Sequence, residues 1–296
     1  MDWLFEPFNV SFVQRALLGG TVVALSCAIV GTWVVLRGMA FLGDAMSHGM
    51  LPGIAVALLL GLNPVLGAAV SATVMALGVS LMSRHQRLSH DTSIGLLFVG
   101  MLAAGVIIIS RSRSFAVDLT GILFGDILAV KFSDIWLLCA ILAGTAMVAA
   151  IFHRPFMALV FDGRKAATLG LHPELAAIVL LLLVTAAMAG SFQVVGTLLV
   201  FGLLIAPPAA ALPWARSIPA IMGIAAVLGC TAVAAGLLIS WHARTAAGAT
   251  IAASAVALFF ISSAASALRP LILRPHSAAT TENTTENVTA QKGSPA

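Results

Sequence analysis

Apolar runs about twenty residues long recur along almost the whole chain, and nothing constrains its fold more. A helix needs about 20 apolar residues to cross the hydrocarbon core of a bilayer. Inside lipid, each backbone N–H and C=O must find its partner within the segment or in neighbouring protein. On that rule about nine spans are expected, at roughly 14–36, 45–61, 64–83, 93–110, 133–152, 175–190, 194–212, 217–241 and 247–268. Only 9% of the residues are charged and 60% are hydrophobic, which places the chain among polytopic membrane proteins. The expected fold class is therefore an all-α polytopic membrane protein. The second and sixth runs are short, and the second carries Pro52. Gly, Ala and Ser are abundant in the runs and suit close helix approach in lipid. Trp33, Trp136, Trp214 and Trp241 fall at the ends of runs, where an aromatic belt would put them.

The charges lie between the runs, so the net +4 is loop bias and not a nucleic-acid footprint. With the 153–174 loop in the cytoplasm, Arg37, Arg84, Arg87, Arg154, Arg164, Lys165, Arg216, Arg269 and Arg274 share its side. Arg15, Arg111, Arg113, Lys131 and Arg244 fall on the other. The positive-inside rule then sets the N-terminus out and the C-terminus in. Residues 1–13 form an extracytoplasmic segment without the basic region of a secretory signal, so the first run should be retained as a span. The membrane domain is expected over 14–270. Residues 271–296, rich in Ser, Thr, Asn and Glu, cannot bury a core and are expected as a disordered cytoplasmic tail.

Several chemistries are missing. No GxxxxGK[ST] phosphate loop occurs, so ATP is not bound by that device. No HExxH, GxSxG or kinase signature occurs either, and nothing positive supports an enzyme. Cys27, Cys139 and Cys230 sit in separate runs without CxxC spacing, which suits packing in the membrane and gives no disulfide framework.

The polar exception is Phe41–Gly53, FLGDAMSHGMLPG. Asp44 and His48 are four apart, so a helix puts them on one face with Cβ atoms roughly 6 Å apart. An ionisable residue inside a membrane costs at least roughly 2.5 kcal/mol and marks a functional site by default. A carboxylate and an imidazole can share one Zn²⁺ or Mn²⁺. The alternative is a helix N-terminus that Asp44 caps while His48 bonds a carbonyl. Asp118, on the outer side, is a further ligand candidate. Asp91, before the fourth span, suits a cap better than a ligand, and His242 beside Trp241 suits an interfacial residue. The stretch 117–130, VDLTGILFGDILAV, is too short and too charged to span and fits a re-entrant or surface-lying segment. In the loop His153–Glu174, Asp162 to Leu169 can form a short helix ending at Gly170, either a solvated connector or a docking helix for a cytoplasmic partner.

These residues resemble a family. GDAMSHGMLPGIA (43–55), DTSIGLLF (91–98), VDLTGILFGDILAV (117–130), FDGRKAATLGL (161–171), VGTLLVFGLLIAPPAAA (195–211) and AGATIA (247–252) recur in order as in the membrane permease subunit of ABC importers for zinc, manganese or iron. The resemblance covers about 40–270. It implies a type II ABC importer-like permease in a bacterial cytoplasmic (inner) membrane, working as two copies on two cytoplasmic ATPase subunits that bind the ATP. It also implies an extracytoplasmic metal-binding protein that delivers the ion. No cofactor and no nucleic acid are implied; the metal is cargo. The match at 161–171 makes Asp162, Gly163, Arg164, Lys165, Leu169 and Gly170 an ATPase-coupling segment, and the match at Asp44 and His48 puts them on the metal path. His48 must be neutral to bind, so protons should compete with uptake in acid.

Zinc is the expected cargo, because an imidazole is available and the site is small; the alternative is Mn²⁺ or Fe²⁺. An ion-gradient-driven secondary transporter is a further alternative, although apart from Asp44 the spans hold almost no acids to couple with. A membrane anchor or receptor subunit that moves nothing would tolerate loss of Asp44 and His48, and a cobalamin- or siderophore-type permease would want a wide cavity without such a pair. The chain departs from the family pattern at APPAAALPWARS, with Pro207, Pro208 and Pro213, and at WHARTAAGA.

Overall fold

A computed structural model describes residues 7, 10–85, 90–110, 125, 127–161 and 172–272. Among these, nine helices are long and apolar enough to cross a membrane, and no strand occurs. In chain order the helices are α1 (Ser11–Leu36), α2 (Phe41–Gly49), α3 (Leu51–Leu59), α4 (Pro64–His85), α5 (His90–Ser110), α6 (Phe132–Ile151), α7 (His153–Phe161), α8 (Pro173–Val195), α9 (Thr197–Ala211), α10 (Ile218–Ala243) and α11 (Ala247–Ile272). The second span is built from α2 and α3, and α7 is too short to cross.

The first turn of the chain shows why consecutive spans run back on one another. After α1, Gly38 takes φ +68°, a left-handed conformation that only glycine adopts without steric cost. The Met39 N–H then donates to the Val34 carbonyl at 3.1 Å, which satisfies a carbonyl left free at the helix end. The same device ends α3, with Gly61 at φ +67° and the Leu62 N–H on the Ala57 carbonyl at 2.8 Å.

α1 is the hub and packs on α6, α9 and α10. α11 closes that group against α9 and α10. α3, α4 and α5 form a second group, which α8 ties to the first by touching α4 on one side and α1 and α6 on the other. The core between the groups is apolar and rich in methionine, with Trp33, Leu42, Met46, Met50, Ile54, Met75, Phe156 and Met188 fully buried. The hydroxyls of Ser26 and Thr32 in α1 donate to the carbonyls of Val22 and Ala28 one turn back, so they bring no unpaired group into that core. The outer faces of α5, α6 and α11 present Leu96, Val99, Trp136, Met147, Phe260 and Ile261.

Two sequence expectations change. Trp33 is no belt residue; it is wholly buried, while Trp136, Trp214 and Trp241 are exposed as a belt requires. Residues 153–161 are helix and not loop, because Phe156, Leu159 and Val160 share one face that meets the core. Pro207 and Pro208 lie inside α9, within the expected seventh run, and Pro213 falls in the turn after it. The half-apolar 117–130 stretch is described at Gly125 and from Ile127. There it turns into the bundle, with Ile127 and Val130 buried against α1.

Candidate functional site

The short helix α2 has two unlike faces. Leu42, Ala45, Met46 and Gly49 are buried. Gly43 lies against Phe201 and Leu204 of α9, and Gly49 lies against the Met75 thioether of α4. That seating leaves Phe41, Asp44 and His48 on the partly exposed face beside α5, one stripe at helical spacing. Counting along the axis from Phe41, Asp44 lies about 5 Å and His48 about 10 Å into the span.

His48 Nε2 and Asp44 Oδ1 are 3.7 Å apart, with side chains 31% and 36% exposed. Two ligand atoms that each sit about 2.1 Å from one small cation can be separated by that much. Asp44 does not cap its helix: the N-cap residue is Ala40, and no side chain bonds there. The capping alternative therefore fails on geometry. The pair is framed by Phe98 of α5, whose ring meets the His48 imidazole edge-on at 5.4 Å and the Phe41 ring at 5.8 Å. Phe98 and Phe41 were not recognised as neighbours of the pair in the sequence. The signal for Phe98 is that DTSIGLLF ends on it, and for Phe41 its place three residues before Asp44.

Below the pair the helix changes character. Pro52 has no N–H to offer the His48 carbonyl. Backbone bonds from Met50 to Met46 at 3.1 Å and from Ile54 to Met50 at 3.0 Å carry the chain past this point. The Gly49 carbonyl also accepts the Ser71 hydroxyl of α4 at 2.7 Å. One turn further on, Gly53 and Gly67 meet backbone to backbone, and a Cβ on either would run into the other's carbonyl. An apolar groove of about 430 Å³ opens beside this crossing, lined by Pro52, Val56, Leu66, Val70 and Met101 among others. It holds no carboxylate, imidazole or thiol, so it is no continuation of the polar pair.

Among the described residues no three of His, Cys, Asp and Glu come together. Asp91 is exposed in the first turn of α5, where a carboxylate suits the helix dipole. The Nδ1 of His242 is 2.8 Å from the Leu238 carbonyl at the end of α10. Cys27 directs its thiol to the Val200 carbonyl at 3.8 Å, and the three cysteines are unpaired with one another. Asp118 and the coupling residues Asp162, Gly163, Arg164, Lys165, Leu169 and Gly170 lie outside the described residues.

Comparison with known proteins points one way. Residues 9–266 match the model of the ABC 3 transport family. A manganese transport system membrane protein, MntC of Listeria monocytogenes, is 36% identical over 199 residues, 67% of this chain and 71% of that one. A probable iron transport system membrane protein of Haemophilus influenzae is 34% identical over 269 residues, 90% of this chain and 98% of that one. Among solved structures, PsaBC from Streptococcus pneumoniae in complex with Fab superposes with a TM-score of 0.77 at 32% identity, over 88% of this chain and 94% of that chain. A helical bundle with nine spans among the described residues, the family match along most of the chain, and a relative alike over 98% of its length leave one conclusion: the chain is a multi-pass membrane protein of the ABC 3 transport family, a transport component and not an enzyme.

Proposed function

We propose that the chain is the permease of an ATP-driven importer that moves Mn²⁺ or Fe²⁺ across a bacterial cytoplasmic membrane. The observation that carries this is the Asp44–His48 pair, one third exposed on the face of a membrane span. A carboxylate facing acyl chains costs at least roughly 2.5 kcal/mol, so this face must meet water or protein. A second copy about a two-fold axis would set a second pair opposite the first. Two carboxylates and two imidazoles, with room for water, make the mixed oxygen and nitrogen set that Mn²⁺ and Fe²⁺ accept.

The relatives named for manganese and iron favour those ions over the zinc expected from the imidazole alone. Imidazole and carboxylate together separate these metals poorly, so that expectation had little physical force. ATP is bound and split by separate cytoplasmic subunits, which engage 161–171, and an extracytoplasmic protein delivers the ion. With the N-terminus out, Asp44 and His48 lie in the cytoplasmic half of the second span. They are contacts for an ion leaving, where weak binding by few ligands speeds release.

The test is uptake into vesicles holding the chain with its ATPase and binding protein, offered Mn²⁺, Fe²⁺ and Zn²⁺ in turn. ATP-dependent uptake of Mn²⁺ or Fe²⁺, lost in Asp44→Ala and in His48→Ala with assembly intact, is the expected result. Uptake of Zn²⁺ alone would refute the choice of metal, and uptake untouched by both substitutions would refute the role of the pair.

A further inference from the structure

Trp33 heads the fully buried side chains by volume, and its position near the inner end of α1 is unlike that of the other described tryptophans. Its indole Nε1–H is the one buried side-chain polar atom without a hydrogen-bond partner among the described residues. Its aromatic neighbours come from one place. His153 meets the indole edge-on at 5.5 Å and Phe156 at 5.3 Å, and Phe156 in turn meets Phe152 at 5.8 Å. His153 and Phe156 belong to α7, which runs by sequence straight into residues 162–171. Phe156 is buried and Leu159 and Val160 pack on the core, while Met157 is exposed, so α7 is seated by one face, chiefly on α8, with α1 met through Trp33.

We infer that Trp33 is a positioning residue that ties α7 to α1, so that movement of the ATPase-facing segment displaces the hub helix of the bundle. The inference rests on the coupling role proposed above for 161–171. Edge-on aromatic contacts are directional, and a ring with two torsions yields little when pushed. α1 packs on α6, α9 and α10, so its displacement reaches the spans around it. A close-packed interior passes such a shift on instead of absorbing it. The unpaired indole N–H belongs with this picture. A buried donor without an acceptor is a poor end state, and a slide of α7 along α1 offers it one, from the imidazole already in contact or from a backbone carbonyl.

The test uses the complete complex in vesicles and reads metal taken up per ATP hydrolysed. Trp33→Phe keeps an aromatic ring and removes the N–H and the indole's second ring. Hydrolysis is expected to stay within about two-fold of wild type while uptake per ATP falls about ten-fold, with Phe156→Leu changing in the same direction by about three-fold. Uptake per ATP equal to wild type in both variants overturns the inference. A second measurement needs no substitution at Trp33. With the other four tryptophans replaced by phenylalanine and 5-fluorotryptophan incorporated, the single ¹⁹F signal should move between the nucleotide-free and the vanadate-trapped complex. A signal that stays in place overturns it. Hydrolysis without uptake in the wild-type complex would instead overturn the importer role, and this inference with it.

Discussion

The two halves of the second span make opposite use of the same helix. α3 is closed: Gly53 lies on Gly67, and Ser71 fastens the preceding turn through the Gly49 carbonyl. α2 is open on one side, with a carboxylate and an imidazole 3.7 Å apart and each about one third exposed. Lipid supplies little drive to bring apolar helices together, so the closed half depends on backbones that can touch and on a hydrogen bond across the seam. The open half supplies the Gly49 carbonyl to that bond, and the rest of its inner face is held by Leu42, Met46 and the α9 contact at Gly43. Stability and the proposed ion contact thus fall to different residues of one span.

That separation can be broken by substitution. The largest effect is expected at the closed half. Gly53→Val drives a branched side chain into the Gly67 carbonyl and the Ser71 Cβ, and should cost about 3 kcal/mol or abolish the folded form. Thermal unfolding in detergent measures it, and an unfolding temperature like that of wild type would show that the seam is not sealed. Next comes the open half. Asp44→Ala or His48→Ala should cut ATP-driven metal uptake about ten-fold or more. Stability should change by no more than about 0.5 kcal/mol, since neither side chain is buried. A large loss of stability in either variant would mean that the two functions are not separate.

Smaller effects sharpen the contrast. Ser71→Ala removes the donor to the Gly49 carbonyl and should cost about 1 kcal/mol, read from the same unfolding curves. Its effect on uptake should stay within about two-fold, because the hydroxyl fastens the turn after His48 and does not face the ion. Least of all, Ser262→Ala breaks the relay from the Trp214 indole through the Ser262 hydroxyl to the Ala210 carbonyl, both bonds 2.7 Å. At that exposed edge the loss should be about 0.5 kcal/mol. A loss as great as that of Ser71→Ala would mean that the rim is as tightly held as the seam.

Much of this was legible in the residues, and the misses share a cause. The Asp44–His48 spacing announced a shared face whichever way the helix turned, because i and i+4 always neighbour each other. Which way it turned was not legible. Trp33 sat at the end of an apolar run and passed for a belt residue, yet it is buried under α7. Residues 153–161 passed for loop because a nine-residue helix is too short to register as a span.

Hydropathy counts the spans of such a chain, and the turn glycines mark where several end. Both properties are local, fixed by a bilayer's thickness and by the steric freedom of a residue without Cβ. It cannot rank the faces of a span. In water an apolar stripe points to the core, but in lipid the face against protein and the face against acyl chains are equally apolar. Packing alone decided that α2 turns Leu42 and Met46 inward and leaves Asp44 and His48 out, that α1 is the hub, and that α7 rests on Trp33. Those choices depend on shape complementarity between segments distant in the chain, about which hydropathy carries no information.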